Sequence, residues 1–328
     1  MSSSHIVQLS LVFIGGMTVL LLSSQLLLTA AKNLAIRWKV SPLFLALILV
    51  ALGTTIPEFT FTVSTFFGGD QGLAIGNLVG SNITNILLVF GIGILVGRPR
   101  IGTNTTIKYS LLMLVVTLLY LVVQSVGIPL FWQGVLMVVT TGVILTYQYI
   151  ASRNWKGKDD DYILAVTKPH RKNKEYHQLP PYFLGFIVVA AAIGTAMGGY
   201  QVMQSISRLA EAFTISQTVL GLTLVAISTS MPELITMVLA GVKHDDKMLV
   251  GTIIGSNIYN IGLYAGVLMI NQSQAQISTI DNLVLVFSAI LFAFLIMFGS
   301  GRKLSRWIGL GMVGLFLLFV AQAFILSA

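Results

Sequence analysis

The chain has 328 residues, of which 55% are hydrophobic and only 9% charged, with a mean hydropathy of +0.89. A soluble domain carries about 25% charge, so a soluble enzyme and a disordered chain are both excluded. Cysteine is absent, which removes disulfides and thiolate chemistry, and the net charge of +8 must first be read against membrane topology.

Apolar runs of roughly the 20 residues needed to cross a bilayer recur along the whole chain. They fall at 6–30, 41–69, 72–97, 108–127, 130–151, 181–207, 216–242, 248–270, 281–299 and 304–326. Long continuous runs exclude a transmembrane barrel, whose strands would be short and alternating. One long polar segment, 152–180, holds Asp159, Asp160, Asp161, Arg171, Lys172 and Lys174 and ends at Pro180 and Pro181. The predicted fold is therefore an all-α polytopic membrane protein. Residues 1–151 form one five-helix half, 152–180 a linker and 181–328 a second five-helix half.

Basic residues orient the spans. With the N-terminus outside, 18 of the 19 Lys and Arg residues fall in inside loops or at their edges, and only Arg208 falls outside. That bias matches the positive-inside rule. It predicts both termini outside and the 152–180 linker in the cytoplasm, and it accounts for the net positive charge without a nucleic-acid partner. Met1 to Gln8 carries no positive n-region, so a cleaved signal peptide is not expected.

Residues 41–92 lie on 216–267 at a constant offset of 175 without a gap, and 20 of the 52 pairs are identical. Shared hydrophobicity explains matches such as Leu45/Leu220. It does not explain Pro57/Pro232, Glu58/Glu233, Gly80/Gly255, Ser81/Ser256, Asn82/Asn257 and Asn85/Asn260. Because each half has an odd number of spans, the second enters the membrane from the opposite side. The fold is thus predicted to be a pair of inverted-topology repeats, an architecture of secondary transporters with sites near the midplane.

Of the 11 Asp and Glu residues, nine fall in loops or at span ends. The two left in the membrane are Glu58 and Glu233, which are repeat mates, and no Lys or Arg lies within a span, away from its ends, to pair with them. A charge at the bilayer centre costs about 2.5–3.5 kcal/mol on insertion scales, so a mobile cation is the expected partner. The bland alternative is two protonated structural carboxyls. The surrounding sequences, Thr54-Thr55-Ile56-Pro57-Glu58 and Thr229-Ser230-Met231-Pro232-Glu233, argue for the cation. Each proline lacks an N–H and frees carbonyls one turn back. A hydroxyl (Thr54, Thr229) precedes each Glu by four residues on the same helix face. Carbonyl, hydroxyl and carboxylate oxygens suit Ca²⁺ or Na⁺ rather than Zn²⁺ or Cu⁺.

The second element of each repeat runs from Gly76 to Asn85 and from Gly251 to Asn260. Gly76/Gly80 and Gly251/Gly255 have GxxxG spacing, read as close helix packing. Ser81 and Asn85, and likewise Ser256 and Asn260, share a face and are candidate ion ligands. Asn82 and Asn257 point elsewhere and are read as interhelical hydrogen-bonding groups.

The two segments GTTIPE…GNLVGSNITN and STSMPE…GTIIGSNIYN resemble the α-repeats of the sodium/calcium exchanger family of calcium:cation antiporters. With the ten spans and the inverted repeat, the resemblance covers essentially the whole chain. It implies an ion-ligand set of Thr54, Thr55, Glu58, Ser81 and Asn85 with Thr229, Ser230, Glu233, Ser256 and Asn260. Backbone carbonyls of Ala51 and Ala226 fall at family Na⁺-binding positions. Asparagine at both 85 and 260, where many members carry one acid, argues against K⁺ co-transport. The 152–180 linker is too short for the soluble Ca²⁺-sensor domains of animal members and has no EF-hand pattern, so a prokaryotic-type member is expected.

Two carboxylates balance one Ca²⁺, whereas three Na⁺ would leave one positive charge, so three-for-one exchange would be electrogenic. The expected partners are Na⁺, Ca²⁺ and the bilayer, with no cofactor and no nucleotide, since a P-loop is absent. The oligomeric state stays open. A Ca²⁺/H⁺ antiporter of the same superfamily is the nearest rival. A channel would place its pore between subunits. An intramembrane enzyme lacks support, because no GxGD, HExxH or Ser–His pair lies in a span.

Overall fold

A computed structural model of the chain describes residues 3–38, 41–69, 71–153, 179–210, 221–271, 277–299 and 301–325. Most of the 152–180 linker, Asp70, Glu211 and positions 216–220 of the second repeat lie outside the described residues. Ten helical stretches follow the ten predicted spans. They are α1 (Ser3–Trp38), α2 (42–67), α3 (Gln71–Gly97), α4 (Asn104–Ser125) and α5 (Leu130–Arg153), then α6 (Pro181–Ala210), α7 (221–242), α8 (Asp246–Ile270), α9 (Thr279–Phe298) and α10 (Arg306–Ile325). Among the described residues nine are long and apolar enough to cross a membrane; α7 is interrupted, and its apolar part Met231–Val242 is shorter. The chain is an all-α polytopic membrane protein.

The outer helices expose large apolar side chains at helical spacing, for example Leu111, Val115, Leu118 and Val122 on α4 and Leu283, Phe287, Ile290 and Phe294 on α9. In water such stripes would be unstable. In lipid they are the solvated face, while the helix satisfies every backbone group internally. Helices α3 and α8 are the most enclosed by the rest of the protein.

The two halves interlock rather than sit side by side. Helix α3 packs against the start of α7, and α8 packs against the start of α2. Glycine permits both contacts. A Cβ on Gly80 would lie 2.6 Å from the Leu222 carbonyl oxygen and 2.9 Å from Ala226 Cβ. A Cβ on Gly255 would collide with the Leu47 carbonyl oxygen and lie 2.5 Å from Ala51 Cβ. Leu47/Leu222 and Ala51/Ala226 are repeat mates, so each half inserts the same glycine into the same groove of the other. The packing reading of the GxxxG spacing therefore holds for Gly80 and Gly255. At the centre of this interlock Asn82 Nδ2 donates to the Asn257 carbonyl oxygen at 3.2 Å, and Asn257 Nδ2 donates to the Ile253 carbonyl oxygen at 2.8 Å.

Among the described residues, four π-helical turns interrupt the α-repeats, at Ala46–Val50, Asn85–Phe90, Gly221–Val225 and Tyr259–Tyr264. The first and third are superposed by the 175-residue offset, and the second and fourth differ by one residue. Such turns insert one extra residue into the helical register and concentrate at functional sites.

Helices α1 and α6 pack along each other. Their backbones touch at glycines: a Cβ on Gly198 would lie 2.6 Å from the Leu20 nitrogen and 2.8 Å from the Gly16 carbonyl oxygen. Helix α1 has 36 residues, about 54 Å at 1.5 Å per residue, longer than the predicted span 6–30. The loop residues 98–103, 243–245 and 301–305 gather at one end of the bundle. Gly301 N donates to Ile101 O at 2.7 Å, and Arg100 N donates to Asp246 Oδ2 at 3.0 Å. All three loops were placed on the same side by their basic residues.

Candidate ion site

The site forms where the interrupted stretches of α2 and α7 face α3 and α8. Thr54, Thr55, Glu58, Ser81, Asn85, Thr229, Ser230, Glu233, Ser256 and Asn260 are all fully buried, as are Ala51 and Ala226. Every candidate from the sequence reading thus lies in the enclosed interior, and hydrogen bonds connect most of them.

Glu58 is gripped mainly by the opposite repeat. Its Oε1 accepts from Ser230 Oγ at 2.8 Å and its Oε2 from Asn260 Nδ2 at 3.1 Å. Glu233 Oε1 accepts from Ser256 Oγ at 3.3 Å, a longer bond from its own repeat. Its Oε2 is buried and has no partner. Both carboxylates are fully buried in the same polar network. The other hydroxyls are tied up locally. Thr54 Oγ1 and Thr55 Oγ1 donate to the Ala51 carbonyl oxygen at 3.1 and 3.0 Å, and Thr229 Oγ1 lies 3.2 Å from that of Ala226. Ser81 Oγ and Thr229 Oγ1 are 3.2 Å apart, bridging the repeats.

The prolines behave differently in the two halves. Pro57 sits inside the continuous helix Ala51–Phe67. On α7 the helix stops at Thr229, Ser230 adopts a non-helical conformation, and a new helix begins at Met231 with Pro232 in its first turn. A first-turn proline sacrifices no hydrogen bond, so the break relieves the conflict that Pro57 leaves in place. The two rings converge on α6: a Cβ on Gly199 would lie 2.6 Å from Pro232 Cγ and 3.1 Å from Pro57 Cγ.

Several buried polar atoms at or beside the site have no partner: both amide atoms of Asn85, Asn260 Oδ1, Glu233 Oε2, and the hydroxyls of Thr84 and Thr236. An unsatisfied buried polar atom costs about 1–3 kcal/mol, so such a cluster calls for an occupant. The available atoms are predominantly oxygens beside two carboxylates, which is the donor chemistry of a hard cation. Among the described residues no group of three or more His, Cys, Asp or Glu could hold a transition metal.

Two contributors escaped the sequence reading. Asn77 Oδ1 accepts from Thr229 Oγ1 at 3.0 Å while its Nδ2 donates to Thr62 Oγ1 at 3.0 Å. Its position four residues before Ser81 was the available signal. Tyr264 OH lies 3.0 Å from Thr55 Oγ1; no pattern marked it, because its repeat mate is Val89.

The family profile described as sodium/calcium exchanger protein matches residues 9–152 and 181–325, both halves of the chain. Among curated relatives, the sodium/calcium exchanger MaX1 of Methanosarcina acetivorans is 25% identical over 96% of this chain and 98% of its own length. The inner membrane protein YrbG of Escherichia coli is 27% identical over 95% of each chain. Among solved structures, the sodium–calcium exchanger NCX_Mj superposes with a TM-score of 0.77 at 24% identity, covering 96% of this chain and 99% of that one, which shows a shared fold. A bundle of interlocked repeats closing on two buried carboxylates, matched along both halves by one family, leaves a single assignment: this chain is a prokaryotic-type member of the sodium/calcium exchanger family, a multi-pass membrane transporter for cations.

Proposed function

We propose that the protein exchanges Na⁺ for Ca²⁺ by alternating access, with three Na⁺ moved against one Ca²⁺. The observation that carries this reading is the pair Glu58 and Glu233. They come from equivalent positions in two repeats of opposite topology and meet in a buried shell of hydroxyl, carbonyl and amide oxygens. Two carboxylates neutralise one Ca²⁺. Three Na⁺ on the same shell leave one positive charge, so each cycle moves one net charge, worth about 2.3 kcal/mol per 100 mV. Competition for shared oxygens couples the ions, because Ca²⁺ and the full Na⁺ set cannot be held together. The proposed ligands are the side-chain oxygens of Thr54, Thr55, Glu58, Ser81, Asn85, Thr229, Ser230, Glu233, Ser256 and Asn260 with the carbonyls of Ala51 and Ala226.

Family membership and the name of the relative MaX1 support Na⁺ and Ca²⁺ as substrates. We further propose that 1–151 and 181–328 act as the two inverted halves joined by a cytoplasmic linker. Both termini would face outward from a prokaryotic inner membrane. The gathering of the basic loops at one end of the bundle supports this arrangement. The test is ⁴⁵Ca²⁺ uptake into proteoliposomes with Na⁺, K⁺ and H⁺ gradients imposed one at a time. Uptake driven by outward Na⁺ alone is expected. Uptake that follows H⁺ and ignores Na⁺ would replace this reading with Ca²⁺/H⁺ antiport.

A further inference from the structure

The two half-sites differ at one hydrogen bond that the repeat does not predict. Ser230 donates to Glu58 at 2.8 Å. Its repeat mate is Thr55, so symmetry would have Thr55 donate to Glu233. Instead Thr55 Oγ1 lies 3.0 Å from Tyr264 OH and within hydrogen-bond reach of the Ala51 and Leu52 carbonyl oxygens, at 3.0 and 3.3 Å. Glu233 Oε2 is left without a partner.

We propose that Tyr264 is a positioning residue that sets the affinity of the exchanger for Na⁺ by holding the Thr55 hydroxyl; this rests on the exchange reading above. Thr55 has one proton and two backbone carbonyls that accept it, Ala51 O and Leu52 O, so we assign the Tyr264 hydroxyl as the donor to Thr55 Oγ1. That bond fixes the Thr55 side chain and leaves it one lone pair for a cation. Tyr264 is itself well anchored. It lies on the π-helical turn Tyr259–Tyr264, four residues beyond Asn260, and is almost fully buried. Its ring packs at a tilt against Phe59 with centroids 4.6 Å apart and lies stacked with Tyr259 at 6.4 Å. The oxygens tied together here, Ala51 O, Thr55 Oγ1 and Tyr264 OH, are all neutral. A shell of neutral oxygens suits a monovalent ion, whereas a divalent ion needs the carboxylates. Without the Tyr264 hydroxyl, Thr55 Oγ1 keeps only the backbone carbonyls of Ala51 and Leu52 as partners and is no longer oriented by a side chain. The Na⁺ position then loses an oriented ligand. Position 89, the mate of 264, is valine, so the first repeat has no counterpart of this hydroxyl.

The test uses Tyr264→Phe, which keeps the ring packing and removes only the hydroxyl, in the full-length protein in proteoliposomes. Losing one oriented hydrogen bond corresponds to roughly three- to tenfold in a binding constant. The Na⁺ concentration for half-maximal ⁴⁵Ca²⁺ exchange should rise by about that factor. The Ca²⁺ half-saturation and the maximal rate should change less than about twofold, since the carboxylate shell is untouched. In a Thr55→Ala background the same substitution should have no further effect, because Tyr264 acts through Thr55. An unchanged Na⁺ half-saturation, an equal shift for both ions, or an undiminished effect in the Thr55→Ala background would each overturn the proposal. Absence of Na⁺-driven exchange in the wild type would instead refute the exchange reading itself, and this inference with it.

Discussion

Replacing Glu58 by Gln separates a ligand from a structural carboxyl. The substitution keeps the shape and removes the charge. The structure already holds the hydrogen bonds it needs: Ser230 can still donate to the remaining side-chain oxygen. The new Nε2 meets Asn260, whose Oδ1 has no partner and can turn to accept. The ion-free variant should therefore be about as stable as wild type. The ion-bound state is different. Removing one partner of a buried charge pair costs about 3–5 kcal/mol, which lowers Ca²⁺ affinity by roughly two to four orders of magnitude at 1.36 kcal/mol per decade. Thermal unfolding in detergent reads both effects. At about 100 times the dissociation constant Ca²⁺ adds about 2.7 kcal/mol to wild-type stability, and at that concentration the variant should gain almost nothing. Flux in proteoliposomes should fall to background. Wild-type exchange by the variant would refute Glu58 as a ligand. Destabilisation of the ion-free variant by more than about 3 kcal/mol would refute it too, because Glu58 would then be a structural hydrogen-bonding group.

Imposing an inside-negative K⁺/valinomycin potential should accelerate Na⁺-driven Ca²⁺ extrusion from vesicles, and a flux indifferent to potential would exclude three-for-one stoichiometry. Gly255→Val forces a side chain into the Leu47 carbonyl at the interlock; overpacking costs about 1–3 kcal/mol, visible as a lowered unfolding midpoint, while Gly311→Val on α10, where a Cβ meets nothing within 4 Å, should be near neutral. Gly199→Ala presses on both Pro57 and Pro232. It should slow exchange with little loss of Ca²⁺ affinity in an equilibrium titration, and an unaltered rate would show that this contact plays no part in the cycle.

Much of this protein was legible in one dimension because the membrane makes composition a structural constraint. A span in lipid must be apolar and helical, so ten apolar runs gave ten helices. Charges confined to loops left Glu58 and Glu233 conspicuous. The constant offset of 175 needed no structure to see, and it related α2 to α7 and α3 to α8, whereas the interlock itself joins α3 to α7 and α8 to α2. What the offset could not contain was the departure from symmetry. Pro57 is tolerated inside a helix while Pro232 opens one. Glu58 receives two donors from the far repeat while Glu233 keeps an empty oxygen. Asn77 and Tyr264 enter the network from positions whose mates, Thr252 and Val89, have different chemistry. The π-helical turns were likewise invisible, because an extra residue per turn depends on how neighbouring helices press on the backbone rather than on the residues within the turn. Sequence alone therefore determined which oxygens are available and that they come in two related sets. Only the tertiary packing of α2 and α7 against α3 and α8 decided which of those oxygens are hydrogen-bonded to one another and which are left for a cation.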